Sequence, residues 1–269
     1  MKQKGRPILA AFQFLSRFPV KAELDFSPEL LRRSAKYYPI VGTAIGISVW
    51  LGGTLAGWVL PSLPAAAVTL IIWVWLTGGL HLDGWMDSAD ALLSYRSRER
   101  MLEIMKDSRV GAMGVLACVL LLLLKLSLIS SLLELGSAAS AGAMLTAPAW
   151  SRWFMTRAMY KWPTAREGEG LAVRFRGLGA KDMVLATVFA LMLTVASLGS
   201  AGVLDGADAT SWLRWGGYFV AAPLLAILAG SLVAGKISSR LGGLTGDTYG
   251  ALNEGLEAML LLLAVIFFR

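Results

Sequence analysis

Cysteine and histidine are almost missing: Cys118 and His81 are the only two among 269 residues. A lone cysteine closes no disulfide within the chain, and the two together cannot supply the ligands of a cysteine–histidine zinc site. Cys118 lies inside an apolar run and reads as a small buried hydrophobe. Also absent are the glycine-rich lysine loop of nucleotide hydrolysis, the dinucleotide fingerprint and the helical histidine pair of a metalloprotease. Charge is scarce as well: Asp, Glu, Lys and Arg make up 16% of the chain, against about a quarter in ordinary soluble domains. The chemistry left is transfer of phosphoryl groups between bound substrates, carried by acids, bases and a hard cation.

What the chain has is apolar length. Apolar residues make up 56% and the mean hydropathy is +0.63, more than one soluble core can bury. The excess is gathered into runs at about Tyr38–Leu60, Pro64–Gly79, Val110–Leu133, Ala138–Met159, Val184–Leu204, Trp215–Ala234 and Leu252–Phe268. These predict an all-α polytopic membrane bundle of about seven transmembrane helices, or six if the Arg152-bearing run does not cross. Gly42, Gly46, Gly53 and Gly57 recur near helical spacing and predict close helix contact. Residues 1–269 read as one membrane-embedded catalytic domain, with residues 1–37 a cytoplasmic or interfacial segment. Its apolar stretch Ile8–Val20 is broken by Gln13, Ser16, Arg17 and Pro19 and lacks a small-residue cleavage signal, so it is expected to be retained.

The net charge of +7 is distributed unevenly. Lysine and arginine crowd the N-terminal segment from Lys2 and Lys4 to Lys36, the Arg96–Arg109 connection, the Arg157–Lys181 connection, and Lys236 with Arg240. The Pro61–Leu63 and Glu134–Ser137 turns have none, and the Asp205–Arg214 connection has only Arg214. This bias predicts that the N-terminus and the long polar loops are cytoplasmic, with the C-terminus outside. Basic loops facing anionic lipid account for the charge, and no nucleic-acid role follows.

On the predicted cytoplasmic side, GGLHLDGWMDSADALL places Asp83, Asp87 and Asp90 at helical spacing directly after an apolar run. Like charges so placed repel, and a bound Mg²⁺ would relieve them; the plainer alternative is a solvated acidic face. His81 is expected to bind phosphate, to donate to the substrate or to orient an aspartate, and spacing does not choose among these. Lys106, Asp107 and Arg109 form a second cluster before the third run, with the two bases suited to pyrophosphate oxygens. Arg174 offers another cation, and Gly242–Gly250 leads through Asp247 into a helix carrying Glu254 and Glu257. Those two glutamates call for a polar interior partner, whereas Lys125 reads most simply as a stem reaching for an interface.

Taken together, GGLHLDGWMDSADALL, MKDSRVGAMG from Met105, RFRGLG from Arg174 and GGLTGDTYGALNE from Gly242 closely resemble the cobalamin synthase family, the adenosylcobinamide-GDP ribazoletransferases. The resemblance covers nearly the whole chain and departs at Trp85, Met86 and Ser88 without removing an acid. It implies a Mg²⁺-dependent polytopic enzyme that joins adenosylcobinamide-GDP to α-ribazole or its 5′-phosphate and releases GMP, with membrane lipids around it. It also implies that Asp83, Asp87 and Asp90 belong to a metal and phosphate site. In that reading Arg109, Lys106 and Arg174 clamp phosphate oxygens, and Asp90 or Asp247 receives the proton of the attacking hydroxyl. A homo-oligomer stays open. The alternatives are a lipid phosphotransferase of the CDP-alcohol type, which also uses spaced aspartates, and a cation-coupled transporter.

Overall fold

The computed structural model describes residues 6–168, 170–204 and 209–269, so Lys2, Lys4 and the start of the Asp205–Arg214 connection lie outside the described residues. Helices follow one another as α1 (Pro7–Leu15), α2 (Pro28–Ser34), α3 (Tyr38–Gly57), α4 (Ser62–Thr77), α5 (Leu80–Leu92), α6 (Arg98–Ile104), α7 (Ala112–Glu134), α8 (Ser137–Lys161), α9 (Ala180–Leu204), α10 (Ala209–Leu241) and α11 (Gly246–Phe268). Among the described residues five spans are long and apolar enough to cross a bilayer, and a sixth is added if the bent pair α4 and α5 is one span. At a rise of about 1.5 Å per residue, α3 alone covers roughly the 30 Å of a hydrocarbon core. Ile71, Leu120, Leu213, Leu228 and Ile266 stand outward and exposed, an apolar girdle that water would not tolerate and lipid would.

α8 sits inside this ring, packed by α3, α9, α10, α11 and α7. That position explains why its apolar run is the weakest: a helix covered on every side meets no lipid and is free to be rich in alanine and small polar residues. α3 approaches it most closely, because a Cβ at Gly42 or Gly46 would overlap the carbonyl oxygens of Pro148 and Met144. Trp150 and Trp153 donate from their indole nitrogens to Thr194 and Thr187 at 2.9 and 3.0 Å, fastening α8 to α9.

The polar connections meet at one end of the bundle. Arg98 donates to Leu241 O at 2.7 Å and to Ala165 O at 3.2 Å, tying α6 to the end of α10 and to the long loop after α8. Lys36 reaches Asp182 at 3.1 Å, and the Arg17 amide donates to Leu76 O at 2.7 Å, folding the N-terminal segment back onto this face. α4 stops here at Gly78 and Gly79, whose φ of +66° and +73° few L side chains adopt. The axis turns by 89°, so α5 does not prolong α4; it runs along the face, across the first turns of α7 and α11.

Candidate functional site

α5 is held in place from both ends. At its start, Gly84 lets its backbone meet that of Asp247, where a Cβ would collide with the carbonyl oxygen. Near its end, Asp90 accepts from the amides of Gly111 and Gly114, both at 2.7 Å. α7 has no capping side chain of its own, and Asp90 fills that role from a neighbouring helix, at the end where the macrodipole favours an anion. α11 opens on a capping box: Thr248 accepts from the Thr245 amide at 2.8 Å, while Thr245 Oγ1 accepts from Thr248 at 3.2 Å. Asp247 sits in that first turn.

Between α1, α5, α8, α11 and the loop after α8 lies a cavity of about 120 Å³. Its polar lining comes from His81, Asp83, Arg166, Asp247 and Tyr249, and Phe14 and Met155 belong to the apolar part. Asp87 follows Asp83 by one turn on α5. Burial first, and then the charges of Asp83, Asp247 and Asp90, push its carboxyl up to about 7. Neither the Asp83 nor the Asp87 carboxylate has a hydrogen bond or an ion pair among the described residues. A hard divalent cation suits this all-oxygen donor set. No three His, Cys, Asp or Glu side chains converge as a ready cation cage among the described residues. An ion held by one or two carboxylates, with substrate phosphate and water completing its shell, needs none.

The bases expected from the sequence are placed less centrally. Arg109 is exposed and folds onto its own neighbour, donating from Nε and Nη2 to Asp107 at 3.0 and 2.7 Å. These bonds hold the Asp107 carboxyl down to about 2. Lys106 is exposed at the end of α6. Arg174 borders an adjoining hollow of about 490 Å³ with Gly168, Gly170 and Val173, sharing Leu171 with the acid cavity. Arg166, which the sequence shows only as one basic loop residue among several, is the cation that lines the acid cavity; its Nη2 donates to Leu102 O at 3.0 Å and its buried Nε is unpartnered.

Deeper in the bundle, the reading of Lys125 as an interfacial stem is overturned. Lys125 is 2% exposed and donates to Glu254 and Glu257, both at 2.5 Å, with its ammonium 4.9 Å from the centre of the Trp73 ring. Arg152 of α8 donates to the other oxygen of Glu257 at 2.5 Å. The glutamates thus find the interior partners their position demands, and α4, α7, α8 and α11 are joined through one neutral cluster. The largest cavity described, about 560 Å³ between α7, α10 and α11, has no titratable group among its lining residues and offers no chemistry.

Fold and site together define a polytopic, all-α membrane protein with an acid-lined pocket at one end of the bundle. The chain belongs to the cobalamin-5-phosphate synthase family, whose sequence model matches residues 7–265. It is 38% identical over 258 residues to an adenosylcobinamide-GDP ribazoletransferase of Brevibacillus brevis, with 96% of each chain covered. It is 40% identical over 258 residues to a protein of the same name from Desulfitobacterium hafniense, covering 96% of this chain and 95% of that one. A third, from Pseudomonas syringae pv. syringae, is 40% identical over 266 residues, covering 97% and 99%. No solved structure matches the chain.

Proposed function

We propose that this protein is an adenosylcobinamide-GDP ribazoletransferase, joining GDP-activated cobinamide to α-ribazole or α-ribazole 5′-phosphate and releasing GMP. The observation that carries the reading is the pair Asp83 and Asp87, two carboxylates without partners among the described residues, Asp83 lining a cavity with Arg166 and His81 and Asp87 one turn beyond it, in a chain that follows its ribazoletransferase relatives almost end to end.

In this reading Asp83 and Asp87 would hold Mg²⁺. Asp90, fixed by the Gly111 and Gly114 amides, adds negative charge beside that pair from the α7 side, which favours a cation there. When bound, the cation neutralises charge on the pyrophosphate and on the departing phosphate. The ribazole hydroxyl attacks the β-phosphorus in line; the new P–O bond forms as the bond to the bridging oxygen breaks, and GMP leaves with that oxygen. Asp247 takes the hydroxyl proton, since it lines the cavity while Asp90 is engaged by two amides. Arg166 holds phosphate oxygens within the pocket, and Arg109, Lys106 and Arg174 draw the anionic substrate toward its rim.

We read α8 as a crossing too, shielded from lipid, which gives seven crossings and puts the basic, acid-pocket face in the cytoplasm. The test is a reconstituted assay with GDP-cobinamide, α-ribazole and Mg²⁺, following GMP and the completed corrinoid together. Equal appearance of both products supports the reading. Transfer from labelled CDP-diacylglycerol instead, or cation flux into liposomes without GMP, would replace it with a lipid phosphotransferase or a transporter.

A further inference from the structure

The buried cluster of Lys125, Arg152, Glu254 and Glu257 does not end with its own members. Asn253, one turn before Glu257, donates from Nδ2 to Glu257 Oε1 at 3.2 Å, and the same nitrogen lies 3.1 Å from Nδ1 of His81. Glu257, bound by Lys125 and Arg152, only accepts, so the nitrogen of the Asn253 amide must face it. The reversed amide would set Oδ1 against a carboxylate. An amide nitrogen has no lone pair to offer in turn. His81 Nδ1 is therefore the acceptor, and the ring hydrogen sits on Nε2. That Nε2 is buried and unpartnered, on a side chain that is 1% exposed and lines the acid cavity with Arg166.

We infer that Asn253 and Glu257 are positioning residues that lock His81 as an Nε2–H donor, and that this donor serves an anionic phosphate oxygen inside the cavity. The inference rests on the proposed reaction only for the identity of the phosphate-bearing ligand. A histidine two residues from an aspartate invites assignment as a base. Asn253 opposes that, because an Nε2 that carries hydrogen has no lone pair with which to take a proton from the cavity. The pocket then presents two kinds of group: carboxylates for a cation, and the His81 and Arg166 N–H groups for the anion that accompanies it.

His81 is the only histidine, so nitrogen-labelled histidine gives one imidazole signal set in the detergent-solubilised protein. The expected spectrum has the N–H coupling at Nε2 and an acceptor shift at Nδ1, with the Nε2–H resonance displaced by inorganic pyrophosphate and Mg²⁺. Asn253→Asp puts a carboxylate against Nδ1, which draws the hydrogen to that nitrogen and removes the pyrophosphate response. Should that variant not fold, Asn253→Ala leaves the ring free, and both tautomers appear. In either variant kcat is expected to fall roughly 10–100-fold, the range seen when the partner orienting a histidine is lost. A wild-type ring protonated at Nδ1, or an Nε2–H signal that pyrophosphate leaves in place, overturns the inference. GMP release from the same sample separates the two readings: inactive wild-type protein with a responsive Nε2–H discards ribazole transfer and keeps His81 as an anion donor.

Discussion

Two sets of acids lie close together along α5 and α11, and they are treated in opposite ways. Glu254 and Glu257 are buried and fully answered by Lys125 and Arg152. Asp83 lines a cavity and Asp87 stands one turn further along α5, where burial and its fellow acids both act against its charge. The first set is finished within the protein, and the second has no opposing charge of its own among the described residues. A carboxylate in or near lipid is expensive in both cases. What separates structure from function is therefore whether the protein itself supplies the opposing charge.

The sharpest way to break this contrast is to remove the answer from the first set. Lys125→Met leaves Glu254 without its ion-pair partner and Glu257 with only Arg152 and Asn253 inside the bundle, and the loss of one partner from a buried ionic cluster costs about 3–5 kcal/mol. A large fall in thermal midpoint in detergent is expected, with little folded protein recovered from membranes. A Lys125→Met protein as stable as wild type would show that the cluster is not what secures α7 to α11.

The same operation on the second set should act on turnover and spare the fold. Asp87→Asn is expected to insert and fold normally while Mg²⁺-dependent transfer falls on the order of 10²–10³-fold, the range for removing one electrostatic group from a reaction centre. Because neighbouring acids disfavour its charge, the variant should be no less stable than wild type when divalent cation is absent. Full activity in this variant would remove Asp87 from the cation site.

A pH series without divalent cation sharpens the point. The Asp87 carboxyl is raised from an ordinary 3.8 to about 7, so between these values the native protein binds more protons than the unfolded chain. Stability must then decline as pH rises through that window, the opposite of a salt-bridged acid. The decline should vanish in Asp87→Asn, and Mg²⁺ added above pH 7 should raise the thermal midpoint of wild type. Unfolding curves at several pH values, with and without Mg²⁺, provide the check.

The contrast was only half visible in the sequence. Asp83, Asp87 and Asp90 announce themselves because one helix carries them at turn spacing, and the apolar runs mark most spans because lipid demands them. Lys125 was misleading because its partners lie 129 and 132 residues away on another helix, a separation that no local pattern reports. α8 was the faintest span for the opposite reason, since only a helix hidden from lipid has freedom to carry Arg152. Arg166 was lost among neighbouring basic residues, because a loop cation becomes a pocket cation only when the chain folds back on it. The Gly111 and Gly114 spacing did hold a signal: two amides at a helix start with no capping side chain imply an acid from elsewhere, and that acid is Asp90.

The smallest expected effect concerns a charge pair that lies between the two kinds. Asp107 and Arg109 answer each other, as the buried set does, yet both stand in solvent. If Arg109 is to draw in a pyrophosphate, it must first leave Asp107, and the two bonds between them oppose that step. Asp107→Asn should therefore lower the KM for GDP-cobinamide severalfold, and Arg109→Ala should raise it by a similar factor, with kcat and thermal midpoint unmoved in both. The effects should shrink as salt is added, because exposed charges are screened. They should also be insensitive to pH across the neutral range, since the Asp107 carboxyl is held down to about 2. A KM that ignores both substitutions would assign the pair to the loop's own shape, leaving Arg166 to hold the substrate's phosphates without it.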